Sequence, residues 1–195
     1  MRTNKRDELV RKALDVYYRE GFHATGMDRL VAETGVSKTS MYKHFRTKED
    51  LILAVLRLRD ENFRNWLYRR MEELAETPAG QLLACFDALG EWFGLEGFRG
   101  CMFVKAGAEF QEKGHPIHAQ ASEHKRLLAD HFTRLAQSAG AVEPVLLARQ
   151  LLLLKEGAIA AAVLLNGAEA AKDAKAAAQI ILNAALPSGD QPGGG

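Results

Sequence analysis

Cysteine is nearly missing from this 195-residue chain: Cys85 and Cys101 stand alone, too few for a disulfide framework. Both are therefore expected as reduced thiols of a cytoplasmic protein. Charge of one sign is missing too, since the net is only +1, which excludes a polybasic or polyacidic chain. Long apolar runs are absent. The most apolar stretch, residues 145–165, is broken by Arg149, Gln150, Lys155 and Glu156. Its longest polar-free run, 157–165, falls far short of the roughly 20 residues that cross a bilayer. The opening M-R-T-N-K-R-D-E has no apolar signal core. Strand signals and internal repeats are lacking as well. A soluble protein of the all-α class, with no membrane partner, is what remains.

What is present supports helices. Hydrophobic residues make up 47% of the chain, and alanine and leucine supply much of that share. Charge is unevenly placed. Residues 1–50 hold 11 Lys and Arg against 8 Asp and Glu, whereas the remainder holds 15 against 17. The positive excess thus lies at the N-terminal end.

The apolar stripe Leu9, Val10, Ala13, Leu14, Tyr17 predicts a first helix from about Lys5 to Glu20, ended by Gly21. Two T-x-x-D arrangements follow, Thr25 with Asp28 and Thr47 with Asp50. Each is expected to start a helix as a capping box. Gly35 is expected to stop the second helix in a left-handed C-cap, and Ser37 to cap a third helix over Lys38–Phe45. That helix would bury Met41 and Phe45 and turn Lys38, Thr39, Ser40, Tyr42, Lys43 and His44 outward. Hydroxyls, a phenol and cations on one short helix suit a DNA major groove, where phosphates and base edges both ask for donors. This is a helix-turn-helix. A long fourth helix follows from about Lys48 to Ala75, uninterrupted by Gly or Pro. Five more are expected, beginning near Pro78, Cys101, Pro116, Pro144 and Ala168. The eighth is apolar on nearly every side, and its run G-A-I-A-A-A-V-L-L would let a partner helix approach closely.

The segment G-F-H-A-T-G-M-D-R-L-V-A-E-T-G-V-S-K-T-S-M-Y-K-H-F-R-T-K-E-D-L, Gly21 to Leu51, resembles the TetR family of bacterial transcriptional regulators. The resemblance implies a DNA-binding domain over 1–47 and a ligand-binding and dimerisation domain over 48–187, and the closing S-G-D-Q-P-G-G-G is expected as a flexible tail over 188–195. The resemblance also implies a homodimer, joined through the last two helices, that represses at a palindromic double-stranded DNA operator until a small-molecule effector binds. Carried over by position, Tyr42 and Lys43 resemble recognition contacts, with Lys38, Thr39 and Ser40 beside them. His44, Lys48 and Thr25 match phosphate contacts, and Arg2, Lys5 and Arg6 a basic arm.

Phe86, Trp92, Phe93, Met102, Phe103, Phe110 and Phe132, with His124 and His131 as polar anchors, are the candidates for an apolar or aromatic effector site. The same residues at helical spacing also serve as ordinary core. His124 and His131 lie two helical turns apart, about 10 Å along the axis, which suits one cavity better than one ion. No metal, no cofactor and no catalytic residues are expected. Two rival readings stay open: an effector-independent DNA-binding adaptor with a protein-binding C-terminal domain, and a metal-dependent enzyme built on the histidine-rich seventh helix. Cys101, beside the loop G-L-E-G-F-R-G, is open between an inert and a redox-sensing thiol.

Overall fold

The computed structural model describes residues 5–187, so Arg2 and the tail at 188–195 lie outside the described residues. Nine helices and no strands are found among those described: α1 (Lys5–Glu20), α2 (Met27–Thr34), α3 (Lys38–His44), α4 (Lys48–Leu74), α5 (Pro78–Phe93), α6 (Met102–Glu109), α7 (Pro116–Ser138), α8 (Pro144–Leu164) and α9 (Gly167–Ala185). No described helix is long and apolar enough to cross a membrane.

Local chemistry explains several of the helix ends. Ser37 caps α3 by accepting from the Ser40 N–H at 3.3 Å. Thr47 and Asp50 satisfy one another's backbone donors, at 3.0 and 3.1 Å, in a reciprocal capping box at the start of α4. Thr77 caps α5 ahead of Pro78, and the Asn166 side chain accepts from Ala168 and Glu169 to start α9. Gly35 closes α2 at φ +69°, a conformation open to glycine without strain.

The start of α2 corrects an expectation. It begins at Met27 behind Gly26, with no side-chain cap. Thr25 is fully buried and its hydroxyl donates backward to the Gly21 carbonyl at 2.7 Å, not forward to a helix N–H. The i−4 acceptor was within reach, and a buried hydroxyl takes the bond that keeps it satisfied.

By packing, the chain forms two compact units. The first runs up to Arg64 and includes Cys101–Lys125; the second holds Asn65–Gly100 and the chain from Arg126 onward. The division at residue 47 is one of proposed role, whereas packing gathers the first half of α4, α6 and the start of α7 around the N-terminal helices. The core of this first unit includes Leu9, Tyr17, Phe22, Leu30, Met41, Leu51, Ile52, Leu56, Met102, Phe103, Ala106 and Ile117. Burying each large side chain is worth about 1.5–3 kcal/mol, far beyond the propensity of a seven-residue helix such as α3.

In the second unit α9 packs along α5 and α8. Small residues permit the approach: a Cβ at Gly167 would meet the Phe93 Cβ at 2.9 Å, and one at Gly90 would meet Ala171 at 3.3 Å. Lys175 ties α9 to α5 through Asp87 at 2.7 Å. Lys155 is fully buried and donates to Glu156 at 3.0 Å.

Candidate nucleic-acid interface

α2 and α3 are held by a few directed bonds. Lys12 of α1 donates to the Thr34 carbonyl at 2.9 Å, near the C-terminal end of α2. Arg29 makes two hydrogen bonds to Glu20, at 2.8 and 2.9 Å, and Arg19 reaches Glu33 at 2.7 Å. The Arg29 and Arg19 guanidiniums hold the Glu20 carboxyl down at about 2. These exposed ion pairs fix the angle between α1 and α2 more than they stabilise the fold.

On α3 the sequence pattern becomes geometry. Met41 is fully buried and Phe45 nearly so. Tyr42 is 46% exposed, and Lys38, Thr39, Lys43 and His44 are exposed with it, while Ser40 is half-buried behind its bond to Ser37. Two buried anchors, four residues apart, fix which side of the helix faces outward. Tyr42 and Lys43 therefore present a phenol and a cation to the exterior. Lys38 pairs with Asp28 of α2 at 2.9 Å, a bond that raises its pKa. Any phosphate contact by Lys38 must compete with that carboxylate. Lys48 is half-buried, its pKa lowered by burial, and it donates to the His23 carbonyl at 3.5 Å. Arg6 stacks its guanidinium over Phe45 at 4.9 Å, and Arg46 stands exposed in the loop after α3. Thr25 has no exposed atoms to offer a phosphate, and its expected contact is withdrawn.

The nine residues expected around an effector do not form one cluster within either unit. Met102, Phe103, Phe110 and His124 belong to the first. Met102, Phe103 and Phe110 pack in its core. Phe110 meets Phe22 edge-on at 6.2 Å and His23 at 4.6 Å. The His124 ring stacks on Phe103 at 3.7 Å, and its Nδ1 lies 2.7 Å from Asp60. Asp60 also takes two bonds from Arg64 at 2.8 Å. Burial pushes the Asp60 carboxyl up, but the bonds and charges of His124 and Arg64 outweigh it and hold it at about 2. Double satisfaction of a buried carboxylate of this kind is a structural arrangement.

Phe86, Trp92, Phe93, His131 and Phe132 fall in the second unit. Phe86 and Phe132 are fully buried. Trp92 and Phe93 share an aromatic cluster with Trp66 and Phe98, in which Phe98 lies 4.9 Å from Trp92 and 5.0 Å from Phe93. His131 stacks on Tyr68 at 3.6 Å, and burial lowers its pKa to about 4. Phe98 and Tyr68 were not anticipated; each meets its partner through the fold, with no periodic signal to mark it. The Cys85 thiol is completely buried and pushed up to about 12, so it is inert. Cys101 accepts from Lys125 at 3.4 Å. Among the described residues no three His, Cys, Asp or Glu side chains converge as a metal-binding group.

Comparison with known proteins places this architecture. Residues 9–55 match the family model for bacterial regulatory proteins of the tetR family. A TetR-family transcriptional regulator from Streptomyces coelicolor, solved as a crystal structure, is 30% identical with a TM-score of 0.87, over 93% of this chain and 90% of that one. A second, from Streptomyces avermitilis, is 30% identical with a TM-score of 0.82, over 94% and 98%. The HTH-type transcriptional regulator YjdC of Escherichia coli is 25% identical over 87% of this chain and 88% of its own length.

Proposed function

Because this chain belongs to the TetR family of DNA-binding transcriptional regulators, and is not an enzyme, we propose that it acts as a homodimeric repressor released from its operator by a small effector. The observation that carries the DNA-binding part is the division of α3. Met41 and Phe45 are spent on the core, which leaves Tyr42 and Lys43, flanked by Lys38, Thr39, Ser40 and His44, for a major groove. Base preference comes from Thr39, Ser40, Tyr42 and Lys43, and His44 and Lys48 serve the phosphate backbone.

The dimer reading rests on α8 and α9. Leu153 is 73% exposed, Leu164 80%, Leu165 81% and Ile180 71%, with Val163 exposed beside them. Exposed apolar side chains on two adjacent helices suit an isologous contact between two copies. Two reading heads would then meet successive major grooves about 34–36 Å apart, which requires a palindromic duplex. The effector reading rests on the aromatic side chains of the second unit: Trp92 and Phe93 in their cluster with Phe98, His131 stacked on Tyr68, and the buried Phe86 and Phe132. These favour an apolar or aromatic molecule. Release requires that the effector bind the DNA-free conformation more tightly than the DNA-bound one.

The test is selection of duplexes from a random-sequence library by the purified protein. A palindromic duplex should be enriched, and Tyr42→Ala should lose at least about a hundredfold of its affinity while sedimenting as wild type does. Failure to enrich any duplex, or wild-type binding by Tyr42→Ala, would remove α3 as the reader.

A further inference from the structure

The first unit also contains a clasp that the DNA-contact residues do not account for. We infer that Lys105 and Glu109 of α6 position the reading head by gripping the end of α1 and the turn that follows it. Glu109 is thus a positioning residue for operator recognition, an inference that rests on the DNA-binding reading above.

The turn between α1 and α2 leaves two consecutive backbone donors without a helical acceptor, the N–H groups of Phe22 and His23. Both go to one carboxylate. Glu109 Oε1 accepts from Phe22 at 3.0 Å, and Oε2 accepts from Phe22 at 3.1 Å and from His23 at 2.5 Å. One helical turn earlier on α6, Lys105 donates to the Tyr18 carbonyl at 3.2 Å. Tyr18 lies in the last turn of α1, where carbonyls lack intrahelical donors. The lysine therefore serves the carbonyl end of α1 and the glutamate the free N–H groups beyond it.

Glu109 is also the last residue of α6. A carboxylate there opposes the helix dipole, whose C-terminal end carries partial negative charge. The acid is badly placed for its own helix and well placed for the turn. Gly21 fits the same purpose. Its φ is +85°, and a Cβ there would come within 3.0 Å of Glu109 Oε1, so a larger residue would crowd the carboxylate. Phe110, the next residue, packs on both Phe22 and His23, and Lys48 of α4 takes the His23 carbonyl. The turn is thus held through its donors by α6 and through an acceptor by α4. Hydrogen bonds of about 3 Å weaken steeply when stretched by half an ångström, so α6 cannot shift without loosening the turn that sets the angle of α2 and α3.

The experiment uses the full chain, with Glu109→Ala and Glu109→Gln, and two readouts. The first is amide hydrogen exchange. In Glu109→Ala, exchange at Phe22 and His23 should rise about tenfold or more, while α8 and α9 stay protected. The second is affinity for a duplex selected by the wild-type protein, set against a mixed-sequence duplex at the same salt. The selected duplex should be bound about ten- to a hundredfold more weakly. The mixed duplex, bound through phosphate charge, should lose less than about threefold. Glu109→Gln keeps the shape and one acceptor oxygen and should recover part of both losses. Unchanged exchange at Phe22 and His23, or equal weakening on both duplexes, overturns the inference, as does wild-type affinity in Glu109→Ala. A wild-type protein that selects no duplex fails before any variant is made, and that result defeats the DNA-binding reading itself.

Discussion

The Thr25 hydroxyl donates to the Gly21 carbonyl across 2.7 Å from a fully buried position, closing the turn between α1 and α2. Thr25→Val keeps the shape and removes that donor. Stability should fall by about 1–2 kcal/mol, lowering Tm by roughly 2–8 °C in thermal denaturation followed by circular dichroism. Where the variant is folded, its affinity for a selected duplex should stay within about threefold of wild type. Lost affinity at unchanged Tm would instead return Thr25 to the DNA surface.

That residue shows what the sequence could and could not convey. Ser37 with Ser40, Thr47 with Asp50, and Gly35 at the end of α2 are legible because each device acts across three or four residues. Thr25 with Asp28 displays the same T-x-x-D spelling as Thr47 with Asp50. The choice between them was made by an acceptor four residues upstream and by burial, neither of which the spelling records. Phe22 and Glu109 are 87 residues apart, and Asp60 and His124 are 64 apart, so no spacing rule joins them. Lys155 read as a polar break in an apolar run, yet it is fully buried, whereas Arg149 is exposed. The face of α3 was legible for a simpler reason: Met41 and Phe45 are the apolar pair of a short helix, and they decide where the other side chains point.

Lys43 is exposed and charged, and its predicted contribution is part sequence reading and part charge. Lys43→Ala should reduce the slope of log affinity against log salt by about 1. Fluorescence anisotropy titrations at several salt concentrations measure it. An unchanged slope would mean that Lys43 meets no phosphate.

Leu153 and Ile180 stand exposed on α8 and α9, where a glutamate costs little in an isolated subunit. The double variant Leu153→Glu with Ile180→Glu should halve the mass seen in sedimentation and leave the helical circular dichroism intact. A dimer that survives both charges must be joined elsewhere.

His131 supplies a pH dependence. Burial holds its pKa at about 4 against an ordinary 6.5. The unfolded chain therefore takes up a proton that the folded one refuses. The stability linked to this group is complete above about pH 6.5 and is lost as pH falls toward 4. His131→Phe preserves a ring against Tyr68 and should flatten the fall of Tm across that interval. Asp60, held at about 2, also loses stability as pH falls below about 5, but it is present in both proteins and so drops out of the difference between them. Parallel Tm curves for the variant and wild type would show that His131 protonates freely in the folded chain.

The exposed apolar side chains of α8 and α9 also bear on dosage. If they pair two copies, as proposed, then where subunits are dilute the paired reading heads form as the square of subunit number, so halving the chains in a cell would cut the pairs about fourfold. Operator occupancy would then respond more steeply to the synthesis rate of this protein than a one-chain reader would allow. The copy number of the regulator would become a signal in its own right.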